Sequence, residues 1–362
     1  MARNLVATYL IETLHPQDAL TAILRGQSVG NPTLLTPYET PEFLAQWQAT
    51  GTIEPVGTNR YHATIQWPIA NVAGEGINFL LSLLVGGQCD LGSLIQYQLI
   101  QLDLGSLADG FPRPRYGMAG LRQAIGVSHR PFIGGIIKPK IGLTPTQVAT
   151  ICQQMADGGI DFIKDDELLS NQPWCPLAKR VKAVSHALKG YQVLYAPCIT
   201  GDGKEILKKA HVARDAGATA LHLNLWCGLG AFLQVRRSMK LPLFFQKSGD
   251  KVWTEGPFGM ATDVLYQLIH TVGADIAHVG MWGGYLSEGE TILQMRMAAM
   301  QTTLPSFSCG MTPELASKIT RTFGNDIMVT SGGWIHSRPE GITEAVKQLR
   351  RAVESASLTL AT

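Results

Sequence analysis

The sequence predicts an α/β protein: a C-terminal (β/α)8 TIM barrel spanning 116–362, preceded by a smaller α+β domain at 1–115. Three observations carry that prediction. From about residue 132 onward, short β-rich apolar runs alternate with helical segments. Eight such units in about 225 residues match an eight-fold barrel. A doubly wound sheet more often has about five or six strands and an early GxGxxG, which this chain lacks. Finally, polar side chains or glycines recur where seven of the eight strands end, the face on which such barrels build their sites.

The N-terminal region breaks the rhythm. Strands are expected at Leu5–Ile11, Tyr61–Trp67 and Ile95–Leu104, and helices at Pro16–Arg25 and Gly76–Leu84; Phe111–Arg115 reads as a linker. The barrel strands are expected at Ile133–Lys138, Phe162–Asp165, Val193–Cys198, Ala220–Asn224, Leu243–Gln246, Ile276–Val279, Ser306–Ser308 and Ile327–Thr330. The helices between and after them read as Thr146–Ala156, Leu177–Leu188, Lys204–Ala216, Ala231–Met239, Thr262–Thr271, Thr291–Met300, Pro313–Phe323 and Gly341–Val353. Glycine pairs or Gly-Ala steps stop several helices (Gly158-Gly159, Gly217-Ala218, Gly273-Ala274), and Pro145 and Pro313 stand where a helix start tolerates proline.

Composition narrows the function. At 362 residues, 45% hydrophobic and 16% charged, the chain can bury a large core and does not read as disordered. Its net charge of +2 comes from interspersed signs, with no basic run for nucleic acid or an anionic membrane. The apolar run Ile77–Val85 falls short of the roughly 20 residues that cross a bilayer. The N-terminus lacks a signal-peptide pattern, and six scattered cysteines without CxxC spacing read as reduced thiols, so a cytoplasmic location is expected.

The densest chemistry lies in Asp161-Phe-Ile-Lys-Asp-Asp-Glu167. Strand alternation points Lys164 and Asp166 the same way, with Glu167 at the start of the following loop. Two acids beside a lysine form a site for a hard cation. If CO2 adds to the neutral amine of Lys164, the resulting carbamate is a third oxygen ligand, which suits Mg2+. A surface salt-bridge cluster is the alternative that an isolated motif would favour. Gly310 and the pair Gly332-Gly333, after the last two strands, let backbone N–H groups approach a phosphate. Lys247, Ser308 and His278 stand where a second anionic end of a substrate could lie, although a structural histidine explains His278 equally well.

Two long stretches carry a family resemblance. Gly134-Gly-Ile-Ile-Lys-Pro-Lys-Ile-Gly-Leu143 and Gly158-Gly-Ile-Asp-Phe-Ile-Lys-Asp-Asp-Glu167 resemble the signatures of the RuBisCO large-chain superfamily. The stretch Leu5-Val-Ala-Thr-Tyr-Leu-Ile11 resembles the start of its form IV, RuBisCO-like members, notably the 2,3-diketo-5-methylthiopentyl-1-phosphate enolases of methionine salvage. The resemblance implies Mg2+ on the Lys164 carbamate, Asp166 and Glu167, with Lys138 near the enolate oxygen and Lys140 tuning it. It also implies a phosphate at Gly310, Gly332 and Gly333, and a homodimer whose site lies at the N-domain/barrel interface.

The chain departs from the family pattern in three places. Tyr285 stands near the sixth-loop lysine that meets CO2, Gln246-Lys247 replaces a His-Arg pair, and Gly87 replaces an N-domain asparagine. A tyrosine offers no ammonium to a developing carboxylate, and lysine is a point charge where arginine is a fork. Carboxylation of ribulose bisphosphate is therefore not expected. The expected function is Mg-dependent enolisation of a small phosphorylated keto-sugar-like substrate, with tautomerisation, isomerisation and decarboxylation all open. Two rivals are a Schiff-base aldolase using Lys138 or Lys164, and a catalytically silent binding protein. The acids beside Lys164 argue against the first, because a nucleophilic lysine wants apolar or cationic neighbours.

Overall fold

Strand β1 (Leu5–Glu12) buries every second residue, Leu5, Ala7, Tyr9 and Ile11, and so lays one face of the first sheet on a core. The computed structural model describes residues 4–360. Strands β3 (Arg60–Trp67) and β4 (Gln96–Asp103) flank β1 in antiparallel pairing, and β2 (Thr50–Gly57) pairs antiparallel with β3. The helices read at the start of the chain form as Pro16–Gly26 and Ile77–Val85.

The remaining strands are β5 (Phe132–Ile136), β6 (Phe162–Lys164), β7 (Leu194–Ala196), β8 (Leu221–Asn224), β9 (Leu243–Gln246), β10 (Phe258–Met260), β11 (Ile276–Gly280), β12 (Leu304–Phe307) and β13 (Met328–Ser331). All but β10 form the eight-stranded parallel sheet, in the order β7-β6-β5-β13-β12-β11-β9-β8. Between β7 and β8 there is no ladder. A single parallel bridge, Cys198 to His222, closes the ring there, with hydrogen bonds from Ile199 N to His222 O (2.9 Å) and His222 N to Pro197 O (3.1 Å).

The chain divides into two compact units. One holds the residues up to Pro112 together with Gly249–Thr271; the other holds Arg113–Ser248 and the residues from Val272 onward. The sequence reading assigned Gly249–Thr271 to the barrel region. In the structure β10 adds in parallel to β4, giving the first sheet the order β10-β4-β1-β3-β2, and Gln267 Nε2 donates to Leu102 O at 2.9 Å. A three-residue strand carries too little pattern for its pairing partner to be read from sequence.

The barrel interior explains its apolar runs. Phe132, Phe162, Ala196, Phe244, Ile276, Leu304 and Met328 from seven staves, and Ala220 just before the eighth, form a buried layer, with Phe162 stacked on Phe244 at 5.6 Å. Leu121 and Ile125 of the helix Gly117–Ile125 pack onto this layer and stopper the amino end of the barrel. Burying each large side chain is worth roughly 1.5–3 kcal/mol. That end is also tied by buried ion pairs. Asp161 receives two hydrogen bonds from Arg130 (2.6 and 2.9 Å) and one from Ile133 N (2.8 Å). Asp275 receives Arg236 (2.7 Å), Leu243 N (2.9 Å) and Tyr116 N (2.7 Å).

Candidate active site at the carboxyl ends of the barrel strands

Strand β6 delivers its side chains as its period of two requires. Lys164 points inward, with Nζ 5.3 Å from the centre of the Phe244 ring. Asp165 points the other way and is consumed structurally, by Arg180 (3.0 Å), Tyr195 OH (2.8 Å) and Cys198 N (3.0 Å). Asp166 returns to the side of Lys164, close enough that its charge acts on the amine. Glu167 opens the loop and accepts from Ser248 Oγ at 3.0 Å.

Lys164 is 1% exposed, and among the described residues its amine makes one hydrogen bond, a 3.3 Å contact to Asp165 O. Burial lowers its pKa, overriding the opposing pull of Glu167 and Asp166. The group thus tends toward the neutral amine, the form that can attack CO2. For Asp166, burial pushes the carboxyl upward. The Lys138 ammonium, bonded to it at 2.5 Å, and Leu168 N at 3.2 Å overcome this and hold it below the usual carboxylate range.

Lys138 emerges just after β5, the hydrogen-bonded neighbour of β6. Its backbone N–H lies 3.2 Å from His336 Nε2, which also contacts Ile136 O at 3.1 Å. Burial, and secondarily the Lys138 charge, takes His336 down to about 4. Gly332 flanks Lys138: a Cβ there would stand 3.2 Å from Lys138 Cε. Lys140 is exposed and makes no hydrogen bond or ion pair with a described residue.

Across the mouth, His278 takes Gln246 Nε2 at 3.2 Å on Nδ1, and burial, then Lys247 and Lys164, push it down to about 3. His222 is fully buried against the edge of Phe244 and is held well below its ordinary value by the same desolvation. Both imidazoles are therefore uncharged. Ser308 is buried, with its N–H on Gly280 O at 3.0 Å. Gly310 takes φ +83°, and a Cβ would come within 2.9 Å of the Tyr285 ring lying over it; Gly333 is open. Lys247 is ion-paired to Glu288, which also binds Arg296.

The structure brings Lys138, Lys164, Asp166, Glu167 and Gly332 together on one side, and Lys247 near His278 on the other. Among the described residues, no three His, Cys, Asp or Glu side chains gather to hold a metal. Asp166 and Glu167 supply two carboxylates, so a hard cation there needs Lys164 to become the third oxygen ligand. The donor chemistry fits Mg2+ on that condition. Sequence reasoning missed Ser248, Glu288, Arg296 and His336 as contributors. Ser248 and His336 follow strand ends and so carried a positional signal; the Glu288–Arg296 pair, on a long loop and its helix, carried none.

The family described as "Ribulose bisphosphate carboxylase large chain, catalytic domain" matches residues 117–296. An uncharacterized ribulose bisphosphate carboxylase-like protein from Bordetella bronchiseptica is 34% identical, covering 98% of this chain and 93% of its own length. A 3-oxo-isoapionate-4-phosphate transcarboxylase/hydrolase from Xanthobacter autotrophicus is 30% identical, with 98% and 94% covered. A 2,3-diketo-5-methylthiopentyl-1-phosphate enolase from Geobacillus thermodenitrificans is 28% identical, with 98% and 92% covered. The crystal structure of a rubisco-like protein from Burkholderia fungorum superposes with a TM-score of 0.86 at 26% identity, covering 98% of this chain and 94% of that one.

Proposed function

The chain belongs to the RuBisCO large-chain family, in its RuBisCO-like branch, and from that premise we propose that it enolises a small phosphorylated ketone with the help of Mg2+. The observation that carries the reading is the place of Lys164: an amine 1% exposed at the carboxyl end of its strand, next in sequence to Asp165, Asp166 and Glu167, with burial lowering its pKa. Asp166, Glu167 and Lys164, as its CO2 adduct, would hold the cation. A bound Mg2+ supplies Lewis acidity to the substrate's carbonyl oxygen, acidifying the neighbouring C–H.

The protein's own groups do the rest. Lys138 Nζ, placed one strand from Lys164, stands by the developing enolate oxygen. Lys138 Nζ donates to Asp166, one of the residues that would hold the cation. Lys138 and the Lys164 carbamate are the two candidate bases. The uncharged His222 and His278 add no positive charge near Lys164. Gly310, Gly332 and Gly333 offer backbone N–H groups to the phosphate. The substrate named for the Geobacillus relative is the first candidate, and the protein works as a homodimer.

A second reading follows from the 28% identity to a 3-oxo-isoapionate-4-phosphate decarboxylase from Rhizobium rhizogenes: an enolate of the same kind, reached by loss of CO2 from a 3-oxo acid phosphate. Protein loaded with Mg2+ and bicarbonate in D2O tests both. Deuterium uptake next to the ketone of 2,3-diketo-5-methylthiopentyl 1-phosphate supports the first, and CO2 release from 3-oxo-isoapionate 4-phosphate supports the second. No exchange and no CO2 release across a panel of phosphorylated ketones overturns the enzymatic reading.

A further inference from the structure

Glu288 lies on the loop between β11 and the helix Glu290–Ala299. Two cations claim its carboxylate, Lys247 Nζ and Arg296 Nη1. Arg296 is anchored in turn to Val279 O at 2.6 Å, so the acid is held from the strand side. The side chains of Lys247, Glu288 and Arg296 are only 12%, 11% and 3% exposed. The loop itself is pinned: Glu288 N donates to Met281 O at 2.8 Å, and Gly283 N to Ser287 Oγ at 2.9 Å. Gly280 makes room for the acid, since a Cβ there would stand 2.8 Å from Glu288 Oε2.

Position gives this triad its meaning. Lys247 follows the carboxyl end of β9, and Glu288 follows β11, its hydrogen-bonded neighbour. Ser248, adjacent to Lys247, reaches Glu167 and ties this corner to the cation side of the mouth. On sequence alone, Lys247 is a receptor for a second anionic end of the substrate. In the structure, a carboxylate of the protein already occupies that ammonium.

We propose that Glu288 is a specificity-determining residue that fills the place a second anionic group would take at Lys247, so that the site selects a substrate with one phosphoryl group and an uncharged opposite end. This rests on the reading of a phosphorylated substrate. A second phosphate must either take Lys247 from Glu288, leaving a mostly buried carboxylate with Arg296 alone, or lie beside it and be repelled. Each penalty falls on a bisphosphate alone. A monophosphate held at Gly310, Gly332 and Gly333 incurs neither.

The test is calorimetric binding of ribulose 5-phosphate and ribulose 1,5-bisphosphate, which differ by one phosphoryl group, at fixed Mg2+ and ionic strength. The wild type is expected to bind the monophosphate roughly tenfold more tightly or better. Glu288→Gln should tighten bisphosphate binding by roughly tenfold or more while moving the monophosphate less than about threefold. Glu288→Asp, which keeps the charge, should keep the wild-type preference, and the double variant E288Q/K247Q should lose the gain. Equal binding of both compounds by the wild type, or an unchanged ratio in E288Q, overturns the proposal while leaving the phosphorylated-substrate reading standing. Failure of the wild type and every variant to bind either compound overturns both.

Discussion

The two ends of the barrel strands use the same charges in opposite ways. At the amino ends, Asp161 and Asp275 are each saturated by an arginine and at least one backbone N–H, and nothing is left to react. At the carboxyl ends, the Lys164 amine is buried with a single long hydrogen bond among the described residues, Asp166 holds a lysine and one backbone N–H, and Glu167 holds one hydroxyl. Arginine's fixed fork satisfies a buried carboxylate; lysine's ammonium is a point charge whose proton can leave. The comparison separates stability from chemistry within one set of staves, with the first assigned to the sealed end and the second to the open one.

The sharpest way to break that comparison is Lys164→Met. Turnover should fall roughly 10³-fold or more, because the third oxygen ligand and a candidate base vanish together. Thermal stability should hold or rise, since a buried amine that resists its charge is replaced by an apolar side chain. A variant that keeps its activity ends the assignment of chemistry to this end. The mirror experiment is Asp275→Asn, which strands the buried Arg236 charge. Urea denaturation should show a loss of about 3–5 kcal/mol, with activity per folded molecule unchanged.

A smaller effect should come from His336, which sits beside the Lys138 charge and Ile136 O. Its folded-state value lies near 4, below the ordinary 6.5. Between those values the unfolded chain binds a proton that the folded chain refuses. Its stabilising contribution is therefore complete above about pH 6.5 and is lost as the pH falls toward 4. His336→Gln should flatten that part of the melting-temperature profile, and an unchanged slope would place the histidine outside the titrating set. The smallest effect belongs to the exposed pair Lys208–Glu205, at 3.8 Å on a helix surface. Glu205→Gln should change stability by less than about 0.5 kcal/mol in the same denaturation assay.

Much of the framework was legible because it is written in short-range pattern. Each of the eight apolar runs formed a stave, and the inward placement of Lys164 with Asp165 turned away follows from a period of two. What escaped was set by distant partners. Thr50–Gly57 is Gly- and Pro-interrupted and is a strand because β3 pairs with it; the helix Gly117–Ile125 starts on one glycine, contains another, and is held by the barrel floor it covers. The site shows the same division. Lys138, Lys164, Asp166 and Glu167 lie in two local motifs. The occupation of Lys247 by Glu288 joins residues 41 positions apart and changes what the lysine can receive.

The closure between β7 and β8 has a kinetic consequence. Every other stave is fastened to its neighbour by a ladder, whereas this seam depends on one bridge and the few amides beside it. A hoop springs at its thinnest fastening. The amides of Ile199 and His222 should exchange with solvent deuterium through a partial opening that leaves the ladders between β5 and β13 and between β11 and β12 intact. That opening runs one strand away from the stave that carries Lys164, so the buried amine lies beside the part of the wall that breathes most readily.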